Sequence, residues 1–325
     1  MRDILVRLDN VSKKFLVSKK GFNSEEKYVH AVNGVSLDIY KGETLSIVGE
    51  SGCGKSTLGR VINKILDVEA GNIYFNGDNI TKLSPSEMLK YRKDMQVIFQ
   101  DPYGSLNPRM KIKNLVSEPL LVHSTLSKEE RESKALELLD MVGLSSGHGE
   151  RYPHEFSGGQ RQRVGIARAI SVNPSLIIAD EPISALDVSI QAQVINIFKN
   201  LQERFNLTYF FISHDLSVVE LISDRVGVMY LGNLVEIGDK KNIYNNPNHP
   251  YTKALLSAIP VAEAGKKRER IILKGDIPSP IDRPSGCPFS TRCPNVFEKC
   301  REEMPTLKDC STDSSEHKVA CHLIK

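Results

Sequence analysis

The stretch GESGCGKST, Gly49–Thr57, constrains this chain more than any other. It fits the spacing G-x-x-x-x-G-K-[ST], and it stands between a short apolar run, TLSIV, and a helical pattern, TLGRVINKIL. That context is what the spacing demands: a buried strand ends, a glycine-rich loop wraps, and a helix N-terminus opens. Glycines let the backbone close around phosphate oxygens so that successive N–H groups face them. Gly49, Glu50, Ser51, Gly52, Cys53, Gly54, Lys55, Ser56 and Thr57 are therefore a candidate nucleotide-binding set. In it Lys55 supplies a cation at the β and γ phosphates, Ser56 offers a hydroxyl to Mg²⁺, and Cys53 fills a variable position with no need of reactivity.

Two further stretches extend the pattern. In SLIIADE, at 175–181, four apolar residues lift Asp180 to the carboxyl end of a buried strand, the edge at which open α/β sheets bind ligands. Asp180 is placed to hold Mg²⁺, and Glu181 to position or deprotonate an attacking water. FSGGQRQRVGIARAI, from Phe156, opens a helix on two glycines, so Ser157, Gly158, Gly159 and Gln160 form a second phosphate cradle. One γ-phosphate does not reach two cradles on different subdomains of one chain. A head-to-tail dimer, each nucleotide lying between the two subunits, removes the conflict.

The rest of the chain gives the setting. Short alternating runs to residue 48 read as strands, and GNIYFNGDNI at 71–80 as a hairpin turning near Asn76-Gly77. From about Ser84 to Leu144 the period becomes helical; Ser127 and Glu130 stand at capping-box spacing before a face of Ala135, Leu138, Leu139 and Val142. PSLIIADE and LTYFFISHD return as buried parallel strands separated by the helix SIQAQVINIFKNLQERF. This is an α/β core with an antiparallel β subdomain and an inserted α-helical subdomain at about 92–160. After about residue 239 come a short helix in NPNHPYTKALLSAIP, a linker AEAGKKRER, and a Pro- and Cys-rich tail. The expected domains are 1–240 and 241–325.

With 43 basic against 40 acidic side chains and a net charge of +3, nothing marks a nucleic-acid footprint, and KKRER at Lys266–Arg270 reads as solvated linker. MRDILVRLDN has no signal-peptide h-region, and no run approaches the ~18 apolar residues of a membrane span. The expected place is the cytosol, where thiols stay reduced.

Together these motifs resemble those of an ATP-binding-cassette (ABC) nucleotide-binding domain over about residues 4–240. Gly49–Thr57 match Walker A, Ser175–Glu181 match Walker B, and Phe156–Gln160 match the LSGGQ signature with Phe for Leu. The resemblance implies ATP and Mg²⁺ as ligands. It makes Gln100 in VIFQDP the Q-loop glutamine and a Mg²⁺ contact, SALD at 184–187 the D-loop, and His214 in FFISHD the switch histidine. A core histidine is the competing reading of His214. Adenine stacking falls to Phe15, with Tyr28 the alternative.

FQDPYGSLNPRM at 99–110 and GDIPSPIDRPSGCPFSTRCP in the tail resemble the F-type subunit of oligopeptide/dipeptide importers. That resemblance implies an ATPase powering peptide import through dimer closure. Its implied partners are a D-type second ATPase, two transmembrane permease subunits and, indirectly, an extracytoplasmic binding protein, with this chain peripheral on the cytoplasmic membrane face. Relatives importing nickel or glutathione share the features; a soluble ABC switch ATPase is the rival class. Five of the six cysteines, Cys287, Cys293, Cys300, Cys310 and Cys321, lie in the tail. Free thiols, zinc and an iron–sulfur cluster compete, and the spacings form no tight zinc knuckle. Members of the resembled family carry a [4Fe–4S] cluster in this region, which favours Cys287, Cys293, Cys300 and Cys321 as ligands. Cys310, in the polar stretch KDCSTDSSE, is then spare.

Overall fold

The structure, a computed structural model, describes residues 2–18, 26–259, 270–311 and 315–324. All of the linker read at 262–270 except Arg270 lies outside them. In chain order the strands are β1 (Ile4–Ser18), β2 (Lys27–Tyr40), β3 (Thr44–Val48), β4 (Ala70–Phe75), β5 (Asp78–Asn79), β6 (Met95–Ile98), β7 (Leu176–Asp180), β8 (Thr208–Ile212), β9 (Arg225–Tyr230), β10 (Asn233–Asp239), β11 (Lys308–Asp309) and β12 (His317–Val319). The α-helices are α1 (Lys55–Ile62), α2 (Pro85–Arg92), α3 (Ile112–His123), α4 (Lys128–Met141), α5 (Gly158–Ile170), α6 (Val188–Phe205), α7 (Leu216–Ile222), α8 (Lys240–Asn245), α9 (Pro250–Ser257) and α10 (Glu298–Glu302). Packing divides the chain into two units: a helical unit built on Tyr40–Glu43 and Lys82–Ile212, and a loop-bearing unit of Ile4–Ile39, Thr44–Thr81 and Ser213–Lys325.

The loop-bearing unit holds a four-stranded sheet in the order β2-β1-β4-β5, with β1, β4 and β5 paired antiparallel. The β4–β5 hairpin turns at Asn76 and Gly77, both at positive φ (50° and 90°), the conformation that makes Asn-Gly a hairpin signal. A second run of strands, β11-β12-β10-β9-β3, is parallel only at β3–β9. Every residue of β3 is buried, and it delivers the chain to Gly49.

The tail joins this unit's core. β12 pairs with β10, Glu236 opposite Val319, and Cys287, Phe289 and Cys300 pack in one buried cluster with Val226, Val228, Tyr230 and Tyr251. From sequence the tail is expected to be too small to build its own core and poor ground for packed thiols. The structure corrects the second expectation: Cys287 and Cys300 are buried, and Phe289, 1% exposed, carries the tail onto apolar surface of β9 and α9. Two- and three-residue strands show no alternation to read.

In the helical unit, β8-β7-β6 run parallel, and β7 and β8 are buried at every position. Apolar runs without alternation suit strands covered on both faces, and α6 supplies the crossover between β7 and β8. Met95–Ile98, inside the block read as helical, is a strand, with Met95 opposite Leu176. Four residues are too few for periodicity to identify, so pairing with β7 decides. α4 starts on the expected capping box, Ser127 accepting from the Glu130 amide, and buries Ala135, Leu138 and Leu139.

Candidate functional site

In the loop-bearing unit, Gly49–Thr57 folds as the expected loop between β3 and α1. Gly49 (φ 153°) and Gly54 (φ 106°) allow no side chain: a Cβ would stand 2.3 Å from the Met229 carbonyl oxygen and 2.0 Å from that of Ala31. Gly54 stands at the N-cap of α1 and offers no side-chain cap to its first turn, a helix N-terminus of the kind that suits an anion. Lys55, 4% exposed, donates through Nζ to the carbonyls of Gly49 (2.8 Å) and Glu50 (3.1 Å). Those neutral acceptors leave its charge uncompensated, which suits a phosphate cradle. Ser56 and Thr57 follow in the first turn of α1, while Ser51 and Gly52 are exposed at the loop's tip. Burial raises the Cys53 thiol, despite Lys55 close by, and fits it for packing beneath the loop. The amides of Glu50 and Cys53 are engaged inside the protein, by the Tyr251 hydroxyl (2.9 Å) and the Glu50 carbonyl (3.3 Å).

Phe15 is 37% exposed on β1, with the Lys13 ammonium 5.4 Å from its ring centre; Lys14 lies 4.2 Å over the Tyr28 ring. Neither is a core aromatic. His214 is exposed as well, so the core-histidine reading does not hold. The next residue, Asp215, caps α7 by accepting from the Ser217 and Val218 amides.

In the helical unit, Asp180 closes β7 and is 5% exposed. Glu181 turns out of the strand at φ 45°, its amide donating to the Ile212 carbonyl at 3.0 Å. Gln100 is brought to it: the amide Nε2 donates to Glu181 Oε2 at 3.1 Å. Ser157 and Gln160 form a reciprocal capping box at the start of α5. A Cβ on Gly159 would meet Ile190 of α6 at 2.5 Å, so the glycine lets the two helices approach. Phe156, 5% exposed, packs edge-on to His148. The Arg161 guanidinium of α5 sits 3.8 Å from the Tyr103 ring centre, linking signature helix to Q-loop segment.

The tail thiols differ in their surroundings. Cys287, Cys300 and Cys321 are buried and Cys293 half-buried. Desolvation first, then the three neighbouring thiols, push Cys287 up to about 11. Burial likewise raises Cys293 and Cys321. The Cys287 amide donates to the Cys300 carbonyl at 2.8 Å. Cys310 stands apart, its sulfur against the Asn248 amide and the His317 carbonyl. Among the described residues no group of three or more His, Cys, Asp or Glu side chains is arranged to hold a metal ion. None of the described helices is long and apolar enough to cross a membrane.

Comparison with known proteins decides the family. Residues 32–184 match the ABC transporter family model, and residues 235–300 the model for the oligopeptide/dipeptide transporter C-terminal region. The chain is 53% identical to the oligopeptide transport ATP-binding protein AppF of Bacillus subtilis, covering 99% of this chain and 98% of that one. It is 52% identical to the dipeptide transport ATP-binding protein DppF of Escherichia coli, over 91% and 89% of the two chains. This chain belongs to the ATP-binding subunits of the oligopeptide/dipeptide ABC transporters. Its fold is the α/β ABC ATPase fold. A dimeric post-hydrolysis structure of the cassette MJ0796, bound to ADP and Pi, superposes with a TM-score of 0.65 at 32% identity, covering 73% of this chain and 99% of that one.

One group in this ABC ATPase subunit escapes sequence reasoning. Arg292 and Tyr251 converge on Glu50 of the nucleotide loop, and Arg292 also donates to the Tyr230 hydroxyl. Arg292 and Glu50 are separated by 242 positions, and no spacing rule joins them. The one signal is Arg292 itself, a charge set between Phe289 and Cys293.

Proposed function

We propose that this subunit is one of two ATPases, paired with a D-type subunit, that power di- and oligopeptide import through two permease subunits. An extracytoplasmic binding protein delivers the peptide, and this chain sits peripherally on the cytoplasmic face, with 1–240 the cassette and 241–325 its extension. The observation that carries the reading is similarity to peptide-transport subunits along nearly the whole chain, tail included. Nickel and glutathione import are the competing substrates.

In this reading Gly49–Thr57 bind the ATP phosphates through backbone amides and Lys55, and Phe15 stacks on adenine. Ser157–Gln160 act on the nucleotide held by the partner's loop, head to tail. Ser56, Asp180 and Gln100 would hold Mg²⁺, which would supply charge neutralisation at the phosphates. Glu181 accepts the proton of the attacking water as the bond from γ-phosphorus to the bridging oxygen breaks and ADP leaves. Gln100, bonded to the Glu181 carboxylate, and His214 hold that water and the γ-phosphate. Closing two cassettes over two such sites converts ATP binding into movement of the permease.

A [4Fe–4S] cluster on Cys287, Cys293, Cys300 and Cys321 is the proposed occupant of the tail. The support is the donor set: four thiols within mutual electrostatic range, three of them buried, and Cys310 elsewhere. Among the described residues these thiols do not form a group arranged to hold a metal ion. A cluster takes Cys₄ ligation, and here it would staple the tail. Purification from membranes without oxygen tests both readings. We expect two permease subunits and a second ATPase to accompany this chain, and about four irons in its tail. Recovery with ribosomes or DNA contradicts the importer; a colourless chain with one zinc contradicts the cluster alone.

A further inference from the structure

The nucleotide loop is held from outside the cassette motifs. Glu50 follows the loop's first glycine, and an unpaired carboxylate there repels the incoming triphosphate. It is not unpaired. Arg292 Nη1 donates to both of its oxygens, at 2.8 and 3.2 Å, and to the Tyr230 hydroxyl at 3.4 Å. The Arg292 side chain is 9% exposed and that of Glu50 25%, so the pair is partly withdrawn from solvent, where charge pairing is stronger than at a surface. The Glu50 amide is held from the same side by the Tyr251 hydroxyl. Arg292 is itself fixed: its amide donates to the Phe289 carbonyl, and Phe289 packs edge-on to Tyr230 and tilted against Tyr251, with ring centres 5.2 and 5.4 Å away.

We propose that Arg292 is a positioning residue for nucleotide binding, the contact through which the C-terminal extension sets the affinity of the Gly49–Thr57 loop for ATP. It acts through Glu50 in two ways. It cancels a negative charge beside the phosphates. It also holds the Gly49–Glu50 backbone, whose carbonyls carry Lys55. Nucleotide binding by this subunit therefore depends on a seated tail, a dependence absent from the loop's own sequence.

The test is steady-state ATPase kinetics of the assembled transporter with Mg-ATP, comparing Arg292→Ala, Arg292→Lys and the double variant Arg292→Ala with Glu50→Gln. Arg292→Ala should raise KM for ATP roughly tenfold with little change in kcat, the scale of one charge-assisted hydrogen bond. Arg292→Lys, which keeps the charge within the same packing, should stay near wild type. Adding Glu50→Gln should return KM toward wild type, because the charge needing compensation is gone. An unchanged KM in Arg292→Ala overturns the proposal. So does a raised KM that Glu50→Gln does not lower, since loss of packing alone gives no rescue. If Arg292→Ala fails to assemble, Arg292→Gln carries the same comparison.

Discussion

Glu181 shows how much this fold arranges around one side chain. It is a non-glycine residue at φ 45°, a conformation that costs of order 1 kcal/mol or more and persists where surroundings impose it. What imposes it is on view: its amide bonds the end of β8, its carbonyl accepts from the Ser184 hydroxyl, and Gln100 holds its carboxylate. The turn aims a carboxylate out of the sheet one residue after the buried Asp180. Glu181→Gln keeps the shape and the Gln100 contact but cannot take a proton. It should slow hydrolysis by roughly 10²–10⁴ with ATP binding retained, measured as single-turnover hydrolysis beside nucleotide affinity. Turnover near wild type would remove Glu181 from the proton-accepting role. The pairing of Asp180 and Glu181 was legible in the sequence because an apolar run must end where its polar residues begin. The contact with Gln100, across 81 positions, was not.

At the scale of elements, helix ends carry much of the specificity. The capping boxes at Ser127 and Ser157 are local and were legible as four-residue patterns. The start of α9 is not local. His249 Nδ1 accepts from the Tyr251 amide, while Glu236 of β10, fully buried, accepts from the Asn248 and His249 amides and meets His317 Nε2 at 2.8 Å. Nothing in NPNHPYTKALLSAIP announces that a strand glutamate ten or more positions upstream completes its cap. Burial holds His249 down to about 4, against the smaller opposing pull of Glu236. Its folded value lies below its ordinary 6.5, so its contribution is full above pH 6.5 and is lost as pH falls toward 4. The whole window is worth roughly 3 kcal/mol. Protection of the α9 amides, with exchange corrected for its intrinsic slowing in acid, should therefore fall between pH 7 and pH 5. His249→Asn, which keeps a cap acceptor but does not titrate, should flatten that dependence; an unchanged slope would place the titration elsewhere.

For the whole molecule, what was legible followed from chain-local physics: glycine loops, apolar runs, caps and the Asn76-Gly77 turn. What was not legible followed from partners distant in sequence. β6 needed β7 beside it, β12 needed β10, and the tail needed the apolar surface of β9 and α9. The tail is thus part of the unit that holds the nucleotide loop rather than an appendage to it. That organisation suits a subunit whose ATP cycle must be read by other chains. The central claim is that this ATPase drives peptide across a membrane. Its most direct test is uptake into proteoliposomes carrying this subunit with its permease and second ATPase, with Mg-ATP enclosed and binding protein and labelled peptide outside. The account predicts peptide accumulation that requires enclosed ATP and is abolished by Lys55→Ala in this chain; ATP hydrolysis with no peptide accumulation, or accumulation indifferent to Lys55→Ala, would contradict it.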